Sequence, residues 1–217
     1  MTTGAPRIRA APAWERLARR TLDVAGALTG LLIASPFLLG IALWVRSESP
    51  GPALFRQVRV GAGGRPFTLY KFRSMRLEGD DRALRELIEA ELRGESTQHD
   101  GSTKLDDPRV TRSGRFLRRT SLDEVPQLLN VLRGEMSLVG PRPCLPWEAE
   151  LFPAEFSARF AVRPGLTGLW QVTGRSTVGT LDMLRLDVQY ARDQRLGLDL
   201  RILLSTVPSL LRGSGAR

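Results

Sequence analysis

The hydrophobic pattern divides the chain into an apolar segment and a longer, mixed remainder. Between Asp23 and Arg46 lie 22 uncharged residues, Val24 to Val45, reading VAGALTGLLIASPFLLGIALWV. As one straight helix they would extend about 33 Å, enough to cross a hydrocarbon core of about 30 Å. Near the middle stands Ser35-Pro36. The proline lacks an N–H, leaves the Leu32 carbonyl without its helical donor and crowds the preceding turn, so a helix-break-helix is expected. Ser49-Pro50-Gly51-Pro52 then reads as a stiff turn. Ala53–Val60 and Arg65–Phe72 predict a β-hairpin around Gly61-Ala62-Gly63-Gly64. From Asp80 to Arg93, Ala83, Leu84, Leu87, Ile88 and Leu92 recur at helical spacing on an otherwise charged helix. Residues 94–108 form a polar loop in this pattern.

Arg109, Arg112, Arg115 and Arg118 recur every three residues, with Arg119 adjacent, which on a helix makes a basic stripe suited to phosphates or an anionic surface, or simply a solvated face. Ser121 opens a predicted helix through Leu132. Two turn-rich loops follow, Gly140-Pro141-Arg142-Pro143 and Arg163-Pro164-Gly165-Leu166-Thr167-Gly168. Leu198–Leu211 predicts a short amphipathic helix that packs on the core or lies in an interface. No internal repeat is visible, and no domain boundary is marked after residue 46.

Composition narrows the function. The chain has 217 residues and a formal charge of +9, which favours anionic partners without choosing among lipid headgroups, nucleic acid and phosphorylated substrates. A single cysteine, Cys144, forms no internal disulfide and points to a reducing compartment. A lone His99 in a polar stretch argues against a His-rich zinc site. Arg7, Arg9, Arg16, Arg19 and Arg20 precede the apolar run, and Arg46, Arg56, Arg59 and Arg65 follow it. Both flanks therefore look cytoplasmic by the positive-inside tendency. A re-entrant helix that bends at Ser35 and Pro36 satisfies both flanks; a kinked spanning helix stays open on the residues alone. A secretory signal is disfavoured, because the run is long, Asp23 interrupts its start and no small-residue cleavage site follows.

Candidate chemistry centres on Ser121-Leu122-Asp123-Glu124. Its plainest reading is a capping box, with Ser121 as N-cap and Glu124 three residues on. The same place favours an ionised carboxylate in Asp123 and presents free N–H groups that can hold phosphate. Neighbouring carboxylates beside the arginine stripe supply a nucleophile or divalent-metal ligand together with cations for a transferring phosphate. No Walker-type loop occurs, so a nucleotide-hydrolysing motor has no support.

With these residues in view, the chain resembles the bacterial sugar transferases, the monotopic phosphoglycosyl transferases. The matching stretches are YKFRSM (70–75), DPRVTR (107–112), SLDEVPQ (121–127), NVLRGEMSLVGPRP (130–143) and RPGLTGLWQVTGR (163–175), together with the Ser35-Pro36 break. The acidic helix around 78–100 is longer than the family pattern. The resemblance implies an α+β, mostly helical monotopic membrane protein in the minimal single-domain form. It would have a basic N-terminal segment (1–20), a re-entrant helix broken at Ser35-Pro36 (21–46) and a cytosolic catalytic domain (47–217), with a small β-hairpin and amphipathic interfacial helices. It implies transfer of a sugar 1-phosphate from a UDP-sugar to polyprenyl (undecaprenyl) phosphate, releasing UMP and starting lipid-linked capsule, exopolysaccharide or O-antigen glycan at the inner membrane.

Carried over residue by residue, the resemblance makes Asp123 the nucleophile that takes the phosphosugar and Glu124 its partner, both as Mg²⁺ ligands. It makes Lys71, Arg118, Arg142 and Arg175 the cations on the donor's diphosphate or uridine. Lys71 is one of only two lysines, the other being Lys104. Expected partners are the UDP-sugar, the polyprenyl phosphate and the membrane, with no nucleic acid; a homo-oligomer is left open, and so is the sugar. The alternative reading is a membrane-anchored basic module that binds anionic lipid or nucleic acid without catalysis. Its arginines would have to cluster, but they spread along the whole chain.

Overall fold

The computed structural model describes residues 10–76, 82–95, 109–173 and 179–211. Residues 1–9 of the basic segment, most of the polar loop expected over 94–108, and Gly174 and Arg175 lie outside the described residues.

The apolar run is helical throughout: α1 extends unbroken from Ala13 to Glu48, with Pro36 inside it. The expected break into two helices is therefore corrected to one continuous helix. Ser35 supplies the reason, since its Oγ donates to the Leu32 carbonyl at 2.8 Å, the acceptor that Pro36 leaves without an N–H. One face of α1 is buried through Asp23, Ala27, Ile41 and Val45, while Leu28, Leu32, Ile33, Phe37, Leu39 and Leu43 stand exposed. The buried face docks on both sides of Pro36. Ala27 joins Leu69, Leu128, Val131 and Met136 in one cluster, and Ile41 and Val45 join Phe72 and Leu117 in another.

Polar ties fix the same helix. Asp23 Oδ1 accepts from Ser137 Oγ and the Leu138 N–H, both at 2.8 Å. Arg19 pairs with Asp199 at 2.6 Å, Arg20 donates to the Val131 and Leu132 carbonyls at 2.7 Å, and Glu48 accepts from Ser113 N at 2.8 Å.

The hairpin forms within one residue of expectation, as antiparallel β1 (Leu54–Val60) and β2 (Pro66–Phe72). Its turn uses Gly63 and Gly64 at φ of 66° and 74°, which suits residues without a Cβ. The charged helix appears as α2, Arg82–Leu92, against α5 (Pro146–Leu151) and α7 (Thr180–Asp193).

The basic stripe divides. Helix α3 (Arg112–Thr120) starts after Arg109, with Thr111 Oγ1 accepting from Gly114 N at 3.0 Å as its cap. Arg112, Arg115 and Arg119 are exposed, but Arg118 is buried.

The element after α3 also departs from expectation. Ser121 closes α3 in a left-handed conformation, φ 56°, and its side chain caps nothing, so the capping box is not formed. Leu122–Gln127 is a 3-10 helix, and only Leu128–Arg133 is α-helical, as α4. Pro126 lies inside this stretch and removes a backbone donor from it.

The two turn-rich loops meet through a parallel pair that the hydrophobic pattern does not announce, β3 (Ser137–Val139) with β4 (Gly165–Thr167). Backbones touch here. A Cβ on Gly165 would stand 2.0 Å from Gly140 N, and one on Gly140 2.3 Å from the Arg163 carbonyl, so both positions admit only glycine. A 3-10 stretch, Ala154–Ala161, and helices α6 (Leu169–Thr173) and α8 (Leu196–Leu211) complete the fold, with α7 packed on the 3-10 stretch through Phe156, Leu184 and Val188.

Candidate active site

Strand β2 packs on the 3-10 helix Leu122–Gln127, and this contact brings Lys71 to Asp123. Asp123 is 9% exposed, and Lys71 and Arg118 are the cations that act on its carboxylate. Glu124, half-buried in the next position, acts with Asp123 on the Lys71 ammonium. The structure thus assembles Asp123, Glu124, Lys71 and Arg118 from three elements.

Each member is oriented by neighbours. Lys71 Nζ lies over the Phe55 ring at 5.2 Å, its partner in the hairpin register. Arg118 Nε donates to Ser74 Oγ at 3.0 Å, which ties α3 to the end of the YKFRSM segment. Asn130 is fully buried and pins β2 from α4: its Oδ1 accepts from Tyr70 N at 3.2 Å, and its Nδ2 donates to Thr68 O and Glu135 Oε2, both at 2.7 Å.

Arg59 is a site residue that sequence reasoning did not single out. The register Phe55↔Lys71, Gln57↔Leu69 and Arg59↔Phe67 puts it on the Lys71 face of the hairpin. It is 9% exposed and, after burial, the strongest influence lowering the Lys71 ammonium. The available signal was its position, an arginine two and four residues from Gln57 and Phe55 on the same side of a predicted strand.

Burial sets the protonation of the cluster. It pushes the Asp123 carboxyl above the usual range against the opposing pull of Lys71 and Arg118, where sequence position alone favoured easy ionisation. The Lys71 ammonium is lowered to about 8, by burial first and Arg59 second. Burial thus pushes both Asp123 and Lys71 toward their neutral forms, an arrangement common where chemistry is done.

Arg142 belongs to a neighbouring cluster. It is half-buried and lines a cavity of about 40 Å³ with Cys144, Arg159, Trp170, Leu87 and Met183. Asp187 feels its charge as well as that of Arg159. Arg59 joins the two clusters: it donates to Pro143 O at 3.1 Å and lies 3.7 Å from Glu148, which also lines the cavity. Arg175 lies outside the described residues.

For a divalent ion the fit is partial but consistent. Among the described residues no group of three or more His, Cys, Asp and Glu side chains gathers. Asp123 and Glu124 provide two carboxylates, and Lys71 and Arg118 already offset their charge. Mg²⁺ typically takes one or two carboxylates and completes its coordination with water and phosphate oxygens. The pair therefore suits an ion that arrives with a phosphorylated substrate.

Comparison with known proteins places these residues in context. A family model described as "Bacterial sugar transferase" matches residues 14–213. The chain is 46% identical over 210 residues to a protein of Caulobacter vibrioides named UDP-glucose:undecaprenyl-phosphate glucose-1-phosphate transferase, covering 92% of this chain and 72% of that one. It is 41% identical over 202 residues to the "Galactosyl transferase CpsE" of Streptococcus agalactiae, covering 93% of this chain and 44% of that one. It is 40% identical over 203 residues to the undecaprenyl-phosphate galactose phosphotransferase of Salmonella typhimurium, covering 93% and 42%. The chain thus spans less than half the length of the last two relatives.

Proposed function

Because the chain belongs to the bacterial sugar transferase family, we propose that it transfers a sugar 1-phosphate from a UDP-sugar to a polyprenyl phosphate. The observation that carries this reading is the buried Asp123 carboxylate between Lys71 and Arg118, with Glu124 beside it. An uncompensated carboxylate there would repel a diphosphate; this one is matched by cations that can hold the donor while Asp123 attacks. The names of the relatives from Caulobacter and Salmonella agree in the acceptor.

The reaction proceeds in two displacements. Asp123 Oδ attacks the β-phosphorus, the Asp123–phosphorus bond forms, and the bond from that phosphorus to the bridging oxygen breaks, so UMP leaves with the bridging oxygen. A phosphate oxygen of the polyprenyl phosphate then attacks the same phosphorus, and the Asp123 carboxylate leaves, giving a polyprenyl diphosphate sugar. Splitting the transfer in this way lets one site serve a soluble donor and a lipid acceptor in turn. Lys71 and Arg118 hold the phosphate oxygens, Arg59 adds positive charge beside Lys71, and Arg142 and Arg175 bind the remainder of the donor. Asp123 and Glu124 would hold Mg²⁺, which when bound offsets charge developing on the phosphates.

The test is UMP release from a panel of UDP-sugars with Mg²⁺, with and without undecaprenyl phosphate. A donor-selective signal that turns over only with acceptor, and a stoichiometric burst without it, is expected. Release of no UMP from any donor by folded protein would overturn the reading.

Titration of Lys71 supplies a second check. Its ammonium, lowered to about 8, must be charged to hold a diphosphate, so donor KM should rise on the alkaline side of pH 8. Stability moves the other way. Between pH 8 and the ordinary 10.5 the unfolded chain keeps the lysine proton and the folded one releases it, so this group's contribution rises with pH. Lys71→Arg should move the alkaline limb upward, because a guanidinium stays charged. An unmoved limb would exclude Lys71 as its source.

The membrane segment is read as re-entrant, with α1 bending at Pro36 while staying helical, which would place Asp123 at the height of the acceptor's headgroup on the cytosolic face. Support comes from α1 itself, which docks on one body before and after Pro36; a helix whose ends lay on opposite sides of a bilayer would lose one set of these contacts. Cysteines introduced at Arg16 and Arg56 should both resist an impermeant thiol reagent in intact cells and both react after permeabilisation. External labelling of either would overturn the re-entrant reading.

A further inference from the structure

The loop carrying Arg142 is held in an unusual way. Pro141 and Pro143 remove two backbone donors around it, so the segment must be fixed largely through its carbonyls. Three consecutive carbonyls are each taken by a different donor. Arg159 Nη2 reaches Arg142 O at 2.8 Å, Arg59 Nη1 reaches Pro143 O at 3.1 Å, and Val60 N reaches Cys144 O at 2.9 Å.

The first of these rests on a buried ion pair. Arg159 Nε and Nη2 meet Asp187 Oδ2 at 3.2 and 2.7 Å, and the two residues are only 2% and 1% exposed. The guanidinium also lies over Phe152 at 4.9 Å and Phe160 at 5.2 Å. Two rings set its plane and Asp187 one edge, and the Nη2 that meets Asp187 also reaches the loop carbonyl at Arg142. A buried ion pair adds little stability over an apolar pair of the same volume, so geometry is the better account of its presence.

We infer that Arg159, oriented by Asp187, is a positioning residue for donor binding: it fixes the backbone at Arg142 and so aims the Arg142 guanidinium. The inference rests on the reading above in which Arg142 binds the donor. It accounts for the distance in sequence between the parts, since α7 supplies the anchor, the 3-10 stretch supplies the arginine, and the loop after β3 supplies the group that meets substrate. Arg59 holds the next carbonyl from β1, the strand paired with the one that carries Lys71, so the hairpin and the 142–144 backbone are tied together.

The experiment measures donor and acceptor kinetics in full-length, membrane-inserted protein for Arg159→Lys and for the double variant Arg159→Met/Asp187→Leu, which keeps the site packed without charge. Both are expected to raise donor KM about tenfold, with kcat within twofold and acceptor KM unchanged. In an Arg142→Ala background, Arg159→Lys should cost nothing further, because its effect passes through Arg142. Additive losses in that background would overturn the inference. So would a lowered melting temperature with unchanged donor KM in the double variant. If Arg142→Ala raises donor KM and the Arg159 variants do not, the positioning role alone falls. If Arg142→Ala leaves donor KM unchanged, the donor-binding role of Arg142 falls and the positioning role falls with it.

Discussion

Asp123→Asn should reduce turnover by ~10⁴-fold or more and leave the protein folded in the membrane, as removal of a nucleophile does elsewhere. The amide keeps the shape of the carboxylate but neither its charge nor its nucleophilicity. Loss of a helix cap would not explain such a result, because the local capping box is absent and Ser121 ends α3 through its own left-handed backbone. The substitution also relieves the burial that pushes the Asp123 carboxyl upward. The loss of attraction falls mainly on Lys71, already lowered to about 8, and this group can shed its proton when its partner disappears. The melting temperature should therefore stay within a few degrees of the parent, and no stoichiometric UMP burst should appear. A variant retaining turnover would remove Asp123 from the nucleophile's role.

The largest structural effect is expected from Gly114→Ala. A Cβ there would stand 1.9 Å from the Ser74 carbonyl oxygen and 2.7 Å from its carbon. These are backbone atoms, so no rotamer change relieves the overlap; α3 must move away from the YKFRSM segment. That movement strains the Ser113 bonds to Glu48 and the Arg118 bond to Ser74. Overpacking of this kind costs about 3 kcal/mol or more, a fall of roughly 6–12 °C in melting temperature for a chain of this size. Activity should fall too, since Arg118 is carried away from Asp123. Gly40→Ala is the control: nothing lies within 4 Å of its Cβ, and alanine favours helix there. Equal melting temperatures for Gly114→Ala and the parent would show that α3 accommodates the methyl group without loss.

Local patterns were the most legible part of the chain. Alternation and a glycine turn placed the hairpin, and helical spacing placed α2 and most of α8. What escaped the pattern depends on long-range contacts. The β3–β4 pair has three residues on each side, too few for a period, and its partners lie 28 residues apart, as with Ser137 and Gly165. The α1 break was expected from Pro36 alone, yet Ser35 satisfies the carbonyl that the proline abandons. The arginine stripe looked uniform because spacing does not reveal which side of α3 faces Ser74. Asp123 and Glu124 stood out as neighbouring carboxylates beside the arginine stripe, the roles of Lys71 and Arg118 came from family resemblance, and Arg59 and Asn130 emerged from the hairpin register and from burial.

Helix α1 is a structural part of the body that follows it. Two hydrophobic clusters are completed by its side chains, and Arg19, Arg20, Asp23 and Glu48 complete polar contacts of α8, α4, β3 and α3. Deleting it to obtain a soluble catalytic fragment would strip Leu69, Val131, Phe72 and Leu117 of their cover and leave buried hydrogen-bonding groups unmatched. The downstream body therefore reaches its final shape only with α1 in place, which, on the proposed reading, ties assembly of the site to the membrane that holds the acceptor.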